Sequence, residues 1–205
     1  MTNVIKIAIV GLGQVGNYLY RELNLKKKNI EIKSGKKIQI VAISAKNKNK
    51  KRKFKINKNI FFKNPLKIIN KKKLDIVFEV IGKSDGISKK IVENSLKKGI
   101  HVITPNKALI SKHGDYLSKL AENNCVNLEF EASVCGGIPI LRTIKEGLAT
   151  NKISKIYGIL NGTSNYILSE METSKDSFKN VLKKAQSLGY AEPGNPKLDL
   201  NGNDA

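Results

Sequence analysis

The sequence predicts an α/β fold in which helices cover a parallel sheet, followed by a smaller second part. Apolar runs of strand length alternate with runs whose apolar residues recur at helical spacing, which is typical of βαβ units. The first apolar run leads directly into a glycine-rich turn and then into a helical run. The alternation changes after residue 135, which places a boundary between the two parts there.

Five apolar runs are predicted as strands of the first part. The first is short and continuous, which suits a strand buried on both faces of a parallel sheet. Residues 46 to 73 are rich in lysine, and we expect surface structure there around a small apolar patch, Ile60–Phe62. The predicted strands are Ile5–Val10, Ile38–Ile43, Leu74–Ile81, His101–Ile103 and Asn124–Glu131.

The turn after the first strand has the pattern GxGxxG, from Gly11 to Gly16. Its first glycine allows a tight turn, Gly13 lets a pyrophosphate approach the backbone, and Gly16 lets the helix pack closely on the strand. The backbone of Gln14 and Val15 then opens a helix whose N-terminus favours an anion. This context predicts a Rossmann-type dinucleotide-binding domain over residues 1–135, although a glycine-rich turn with packing roles only is the alternative.

The end of the second strand indicates which dinucleotide is bound. A cofactor without a 2′-phosphate usually meets a carboxylate at this point, whereas here the chain reads Ser44-Ala45-Lys46. We therefore expect NADP, with Lys46 as its contact, and leave NAD open, since a solvated lysine loop is the alternative. Ser84, in the loop after the Leu74–Ile81 strand, is expected to lie over the same cofactor.

The basic charge of the chain does not indicate a nucleic-acid partner. The formal net charge is +21, but only three of the 38 basic residues are arginines, and the chain has no tryptophan. Readers of nucleic-acid phosphates usually favour arginine, and binders of single strands add aromatic stacking platforms. A run of about 18 apolar residues, as needed to span a membrane, is also absent from the sequence.

The chain's cysteines and N-terminus indicate a cytoplasmic protein. The N-terminus leads straight into a strand and lacks a signal peptide. Cys125 and Cys135 show no paired spacing, as expected in a reducing compartment. Beside two glycines, Cys135 could act as a thiolate nucleophile, but a small buried thiol is the favoured interpretation. A zinc site is not indicated, because the chain has neither paired cysteines nor an HExxH pattern.

The second part is predicted to carry a helix over 138–149, a strand over Lys155–Leu160, and two further helices, the last of which ends at Gly189. Three carboxylates, Glu192, Asp199 and Asp204, follow on a loop punctuated by glycine and proline. In such a basic chain, this grouping predicts a site for a cation such as a substrate ammonium. A solvated acidic turn with a helix N-cap at Asn201 or Asn203 is the alternative.

Three motifs resemble those of the homoserine dehydrogenases. One is the Thr-x-Asn-Lys run at Thr104–Lys107, and another is the Gly-Ile-Leu-Asn-Gly-Thr-x-Asn-Tyr-Ile run at Gly158–Ile167. With the glycine turn, the resemblance extends from Gly11 to Asp204. The third motif consists of Ala185, Gly189-Tyr190, Asn195-Pro196, Asp199-Leu200, Gly202 and Asp204.

The resemblance implies NAD(P)-dependent interconversion of L-homoserine and L-aspartate 4-semialdehyde, a step of threonine and methionine biosynthesis. It further implies that Glu192 and Asp204 hold the substrate's ammonium and hydroxyl region and that Asp199 supports or binds it. By the same resemblance Lys107 is a catalytic residue between nicotinamide and substrate, and Asp204 belongs to the catalytic set.

The resemblance also implies a monovalent cation such as sodium, bound by Glu131 and by backbone carbonyls of Val134, Gly136 and Ile138. It implies a homodimer for the full-length protein. In the family, a lysine that donates a proton follows the last aspartate of the third motif after three more residues, and this chain ends before that position. Residues 136–205 are therefore expected to be the start of an incomplete α+β substrate and dimerisation domain, so that this chain alone turns over poorly.

Two other functions stay open at this stage. A non-catalytic module that binds NADP would need the glycine turn but none of the carboxylates. A semialdehyde dehydrogenase would instead use Cys135 as its nucleophile.

Overall fold

The computed structural model describes residues 4–47, 57–71, 73–159 and 161–191. The three predicted substrate carboxylates, Glu192, Asp199 and Asp204, lie outside the described residues. The chain forms two compact units, Met1–Ile140 and Leu141–Ala205. The sequence placed the domain boundary five residues earlier, at residue 135.

The first unit is built on a parallel sheet. Within the described residues the sheet has the strand order β3-β2-β1-β4-β5-β6, and every neighbouring pair is parallel. This order belongs to doubly wound dinucleotide-binding sheets, so the predicted Rossmann-type fold is confirmed. The strands are β1 Val4–Val10, β2 Lys37–Ser44, β3 Phe61–Phe62, β4 Ile76–Glu79, β5 His101–Ile103 and β6 Leu128–Glu129.

Helices connect these strands and bury both faces of the sheet. Successive side chains of β1 point to opposite faces. Ala8 and Val10 join one buried cluster together with Ile91, while Ile7 and Ile9 join a second one. Burial on both sides explains why this strand reads as a continuous apolar run. The connecting helices are α1 Gln14–Leu25, α2 Lys27–Ser34, α3 Leu66–Lys71, α4 Ile87–Lys97 and α5 Lys107–Asn123.

The lysine-rich segment predicted as plain surface structure contains an additional strand. Phe61 pairs with Ile43 and Phe62 with Ser44, which makes β3 the edge strand beside β2. Both phenylalanines are partly buried against the core clusters. The sequence did not reveal this strand because two residues are too few to establish a strand periodicity.

The chain between β5 and α5 follows the course that its proline predicts. Pro105 disfavours a helical conformation for Thr104, and the helix begins at Lys107. The side chain of Asn106 caps the helix, because its Oδ1 accepts the backbone N–H of Leu109 at 3.1 Å. The predicted helix start near Lys107 is confirmed, and Lys107 stands at the first helical position.

The regular secondary structure described in the second unit is helical. A short helix, α6 Ile140–Arg142, passes into a π-helical turn, Thr143–Gly147, where one helix over 138–149 was predicted. Two longer helices follow, α7 Gly162–Ser174 and α8 Phe178–Leu188, and they pack around Ile167, Val181 and Ala185.

The strand predicted from residue 155 to 160 was wrong for 155–159, which the structure leaves without regular secondary structure. A strand requires a hydrogen-bonded neighbour, and the described residues of this unit provide none. The apolar side chains of Ile156, Tyr157 and Ile159 are exposed instead. In the part of the chain that the structure describes, no helix is both long and apolar enough to cross a bilayer.

Candidate dinucleotide site

The turn between β1 and α1 requires two of its three glycines for close packing. Gly11 has φ of +110°, and a Cβ there would stand 2.4 Å from the carbonyl oxygen of Val80. A Cβ on Gly16 would stand 2.0 Å from the carbonyl oxygen of Gly11. Any side chain at either position would therefore push the first helix away from the sheet.

The middle glycine differs, because the described residues leave the space beside it open. Gly13 has an ordinary φ of −74°, and a Cβ there would meet no atom within 4 Å among the described residues beyond its immediate chain neighbours. Gly13 is also the N-cap residue of α1, and it provides no side-chain cap for the helix N–H groups. Open space beside uncapped N–H groups is what a pyrophosphate needs at this position.

A cavity of about 670 Å³ adjoins this turn. It lies at the carboxyl ends of β1, β2, β3 and β4, where dinucleotides bind in doubly wound sheets. Among the described residues, the lining is mostly apolar, with three lysines and no carboxylate. The lining residues are Val10, Gly11, Leu12, Gly13, Ser44, Ala45, Lys46, Asn47, Lys63, Pro65, Val80, Ile81, Lys83 and Ile87.

The structure brings some of the predicted cofactor residues to this cavity. Gly11, Gly13 and Lys46 line it, and Gly16 packs beneath the turn. Gln14 and Val15 lie in the first turn of α1 with exposed side chains and are not among the lining residues.

Ser84 is not among the described cavity-lining residues, and its contact with the cofactor stays a prediction. Its hydroxyl donates to Asp85 Oδ2 at 2.8 Å, and the neighbouring Lys83 lines the cavity in its place. Lys63, at the end of β3, was also missed. Lys63 directly follows the apolar pair Phe61–Phe62, which forms β3. That strand pairs with β2, and Lys46 follows β2.

The carboxylate of Glu79 lies fully buried at the end of β4 and organises the neighbouring turn. Its Oε2 accepts the hydroxyl of Thr104 at 2.7 Å and the amide of Asn106 at 3.2 Å. Its Oε1 accepts the backbone N–H of Ile81 at 2.8 Å. No role was predicted for Glu79. Its signal in the sequence is that a glutamate ends an apolar strand, since a fully buried glutamate is rare unless it is paired.

The loop after β4 is tied to α5 through Asp85. Its Oδ2 contacts Lys112 Nζ at 2.8 Å, and its Oδ1 contacts His113 Nε2 at 2.9 Å. Hydrogen bonds from Lys112 first, and then from His113 and Ser84, hold the pKa of the Asp85 carboxyl well below its usual range. Lys107 begins the same helix, is exposed and is not among the cavity-lining residues.

The residues predicted to bind a monovalent cation lie in one turn-rich stretch. Glu131 begins a 3₁₀ turn, Glu131–Ser133, and is exposed, as are Gly136 and Ile138, while Val134 is partly buried. The described residues hold no group of three or more His, Cys, Asp or Glu side chains that could bind a metal ion. A site with one carboxylate and several carbonyl oxygens is a different kind of site, and it stays a prediction.

Cys135 is exposed, so the favoured interpretation of a buried thiol was wrong. Its φ of +50° places it in the left-handed region, directly before two glycines. The two histidines are engaged elsewhere. His101 Nδ1 accepts the backbone N–H of Asn127 at 3.0 Å, and His113 pairs with Asp85.

Two of the sequence motifs meet within the second unit. Thr163, in the first turn of α7, donates its hydroxyl to the carbonyl oxygen of Tyr190 at 2.6 Å. The ring of Tyr190 stacks on Tyr166, with the ring centroids 4.5 Å apart. Asn161 caps α7, because its side-chain oxygen accepts the backbone N–H of Ser164 at 2.6 Å. Tyr190, two residues before Glu192 in the sequence, is therefore anchored on α7.

Comparisons with known proteins agree along the chain. Residues 11–131 match the family model described as "Homoserine dehydrogenase, NAD binding domain", and residues 139–205 match the one described as "Homoserine dehydrogenase". The homoserine dehydrogenase of Neisseria gonorrhoeae is 41% identical over 98% of this chain and 46% of its own length. That of Bacillus subtilis is 37% identical, with the same two coverages.

Solved structures give the same result. The homoserine dehydrogenase of Thiobacillus denitrificans superposes with a TM-score of 0.84 and 36% identity, covering all of this chain and 47% of the other. The chain thus spans about half the length of the relatives it matches. Because a dinucleotide-domain model covers more than half of the chain and the second model covers most of the rest, the chain belongs to the homoserine dehydrogenase family.

Proposed function

We propose that this chain provides the dinucleotide-binding unit and part of the substrate unit of an NAD(P)-dependent enzyme that interconverts L-homoserine and L-aspartate 4-semialdehyde. The observation that carries the proposal is the space at Gly13 that the described residues leave open, which adjoins the cavity at the sheet's carboxyl edge. This space lies in a chain whose dinucleotide unit matches this family. The reaction class follows from the family.

NADP is the proposed cofactor. Lys46 and Lys63 follow the adjacent strands β2 and β3, and both line the cavity. Two ammonium groups without a carboxylate among the lining residues suit the 2′-phosphate of NADP, whereas NAD usually meets an acid there. The backbone at Gly13 would hold the pyrophosphate. Bound in this way, the nicotinamide ring supplies hydride chemistry.

The substrate residues are carried over from the family motifs. We assign Glu192 and Asp204 to the substrate's ammonium and hydroxyl region, and Asp199 to its support. When homoserine is oxidised, C4 loses a hydride with its electron pair and the C4 hydroxyl loses a proton. Lys107 and Asp204 are the proposed catalytic residues for positioning that hydroxyl and moving its proton.

Three further properties are proposed by the same resemblance. A monovalent cation such as sodium would bind Glu131 and the carbonyls of Val134, Gly136 and Ile138, since oxygen ligands suit a hard cation. The complete protein would act as a homodimer. The cytoplasm is its proposed compartment, because Cys125 and Cys135 are both free thiols.

The test combines cofactor binding with turnover. We expect the protein expressed from its complete reading frame to bind NADPH, measured by nicotinamide fluorescence. We also expect it to reduce NADP only when L-homoserine is added, measured by absorbance of NADPH. Binding without any homoserine-dependent reduction would overturn the proposal in favour of a non-catalytic NADP-binding module.

A further inference from the structure

The buried carboxylate of Glu79 connects two segments. One leads into the proposed catalytic residue Lys107, and the other lines the proposed cofactor cavity. Glu79 is 0% exposed, and both of its oxygens accept hydrogen bonds. One segment is the turn from Thr104 to Asn106, which leads directly into Lys107. The other is the chain after β4, which includes the cavity-lining residues Ile81 and Lys83.

The hydrogen bonds join these segments without a break. Thr104 donates to Glu79 and also accepts the backbone N–H of Asn106 at 3.1 Å. The amide of Asn106 donates both to Glu79 and to the carbonyl oxygen of Lys83, at 3.2 and 2.9 Å. The same Asn106 caps the helix that Lys107 begins. The Glu79 carboxylate therefore connects the turn that starts the Lys107 helix to the cavity wall.

The chemistry of the site requires a carboxylate at this position. The three groups around Glu79 are the Thr104 hydroxyl, the Asn106 amide and the Ile81 backbone N–H, and all of them donate. Only a side chain with two acceptor oxygens satisfies all three. A glutamine of the same shape turns its NH₂ group toward at least one donor, and a mismatch between buried donors is costly.

We propose that Glu79 is a positioning residue that holds Lys107 in register with the cofactor cavity. It acts through Thr104 and Asn106 and does not itself touch substrate or cofactor. The inference rests on the proposed function for the role of Lys107. Its effect on the wall formed by Ile81 and Lys83 depends only on dinucleotide binding.

The test is a double-mutant cycle between Glu79→Gln and Lys107→Ala in the protein expressed from its complete reading frame. If Glu79 positions Lys107, Glu79→Gln lowers kcat by about 10- to 100-fold in the wild-type background, because small misplacements of a reacting group have such effects. In the Lys107→Ala background the same change lowers kcat by less than about threefold, because coupled residues are not additive. Equal losses in both backgrounds would overturn the inference.

A matched control lies at the other end of the same strand. The carboxylate of Asp75, just before β4, accepts the backbone N–H of Lys6 at 2.6 Å. Asp75→Asn makes the same carboxylate-to-amide change away from the cavity, and we expect it to leave kcat and the NADPH dissociation constant unchanged. Urea unfolding of both variants separates lost stability from lost positioning. Equal changes in kcat for Asp75→Asn and Glu79→Gln would contradict the inference.

Two further measurements keep the inference testable by itself. The first is the NADPH dissociation constant, which we expect to rise about tenfold in Glu79→Gln, because the cavity wall formed by Ile81 and Lys83 loses its hydrogen bonds to the Glu79 network. This rise in a protein that does not oxidise homoserine would refute the proposed function and still support the role of Glu79 at the cavity wall.

The second measurement applies if Glu79→Gln does not fold, in which case Thr104→Val and Thr104→Ser replace it. Only Val removes the hydroxyl, so only Val should lower kcat, and equal losses in both would count against the inference.

Discussion

Tyr190 stacks on Tyr166 with the ring planes 19° from parallel, and the carbonyl oxygen of Tyr190 accepts the hydroxyl of Thr163. These contacts link the end of α8 to the start of α7. They anchor Tyr190, which lies two residues before Glu192 in the sequence.

Removing the ring should loosen this link. We expect Tyr190→Ala to lower the free energy of unfolding by about 1 kcal/mol, the usual contribution of a stacked aromatic pair, measured by urea denaturation. Tyr190→Phe keeps the ring and should stay close to wild type. Tyr157, which is 87% exposed, offers a matched control in the same unit. A loss for Tyr157→Ala as large as that for Tyr190→Ala would contradict this assignment.

The glycines of the first turn should separate binding from stability. A Cβ at Gly13 would contact none of the described residues beyond its chain neighbours, so Gly13→Ala should change the free energy of unfolding by less than about 1 kcal/mol. Because the same methyl group enters the proposed pyrophosphate space, the NADPH dissociation constant should rise at least about tenfold.

Gly16→Ala should behave in the opposite manner. Its Cβ would stand 2.0 Å from the carbonyl oxygen of Gly11, and we expect the free energy of unfolding to fall by about 2 kcal/mol or more, measured by thermal or urea denaturation.

The Gly13→Ala variant also provides the contradicting outcome. If it folds well and binds NADPH with unchanged affinity, the glycine turn is not part of the binding site.

The two lysines after β2 and β3 should determine cofactor choice. We expect Lys46→Ala and Lys63→Ala each to raise the NADPH dissociation constant about tenfold at low salt, because each loses a charged contact to the 2′-phosphate. The dissociation constant for NADH, which lacks this phosphate, should not change. Lys36→Ala is the control, since Lys36 precedes the opposite end of β2. Parallel losses for NADPH and NADH would show that these lysines do not read the 2′-phosphate.

The ion pairs of Asp85 should give the stability of the first unit an acid limb. The pKa of Asp85 is lowered in the folded protein, so the folded state favours the ionised form. Its stabilisation is therefore complete above the unfolded pKa of about 3.9 and is lost as the pH falls below it. The difference in melting temperature between wild type and Asp85→Asn should shrink below about pH 4.

Asp115→Asn serves as the comparison for this pH series, because Asp115 is exposed and pairs with a single lysine, Lys119. A difference between wild type and Asp85→Asn that stayed constant from pH 6 to pH 3, roughly the range over which carboxyls titrate, would count against the proposed linkage.

The exposed thiol of Cys135 should be dispensable. Neither cysteine lines the cavity, so alkylation with iodoacetamide should modify both exposed thiols and leave NADPH binding unchanged. Cys135→Ser should retain homoserine-dependent reduction of NADP. Loss of that activity in the folded Cys135→Ser variant would instead favour a thiolate nucleophile and the semialdehyde dehydrogenase alternative.

Much of the first unit could be predicted because its signals are local. The glycine turn lies between an apolar run and a helical run, and this arrangement specifies both the strand-to-helix turn and its ligand. Pro105 likewise predicts where α5 begins. Strand β3 could not be predicted in this way, because Phe61 and Phe62 become a strand only through pairing with β2.

The role of Glu79 and the conformation of residues 155–159 depend on distant partners in the same way. Nothing in the local sequence shows that Thr104 and Asn106 will meet Glu79, more than twenty residues away, as the parallel pairing of β4 and β5 ensures. The apolar residues from Ile156 to Ile159 have strand propensity, but propensity alone cannot replace a neighbouring strand.

The brevity of the sheet's outer strands has a consequence for how the molecule behaves at high concentration. Within the described residues, β3 and β6 form the two margins of the sheet, and each is only two residues long. Such margins expose few unpaired backbone groups, and Lys63 adds a charge directly beside one of them. Neither side therefore offers a template for the addition of strands from other molecules, the route by which many sheets grow into fibrils.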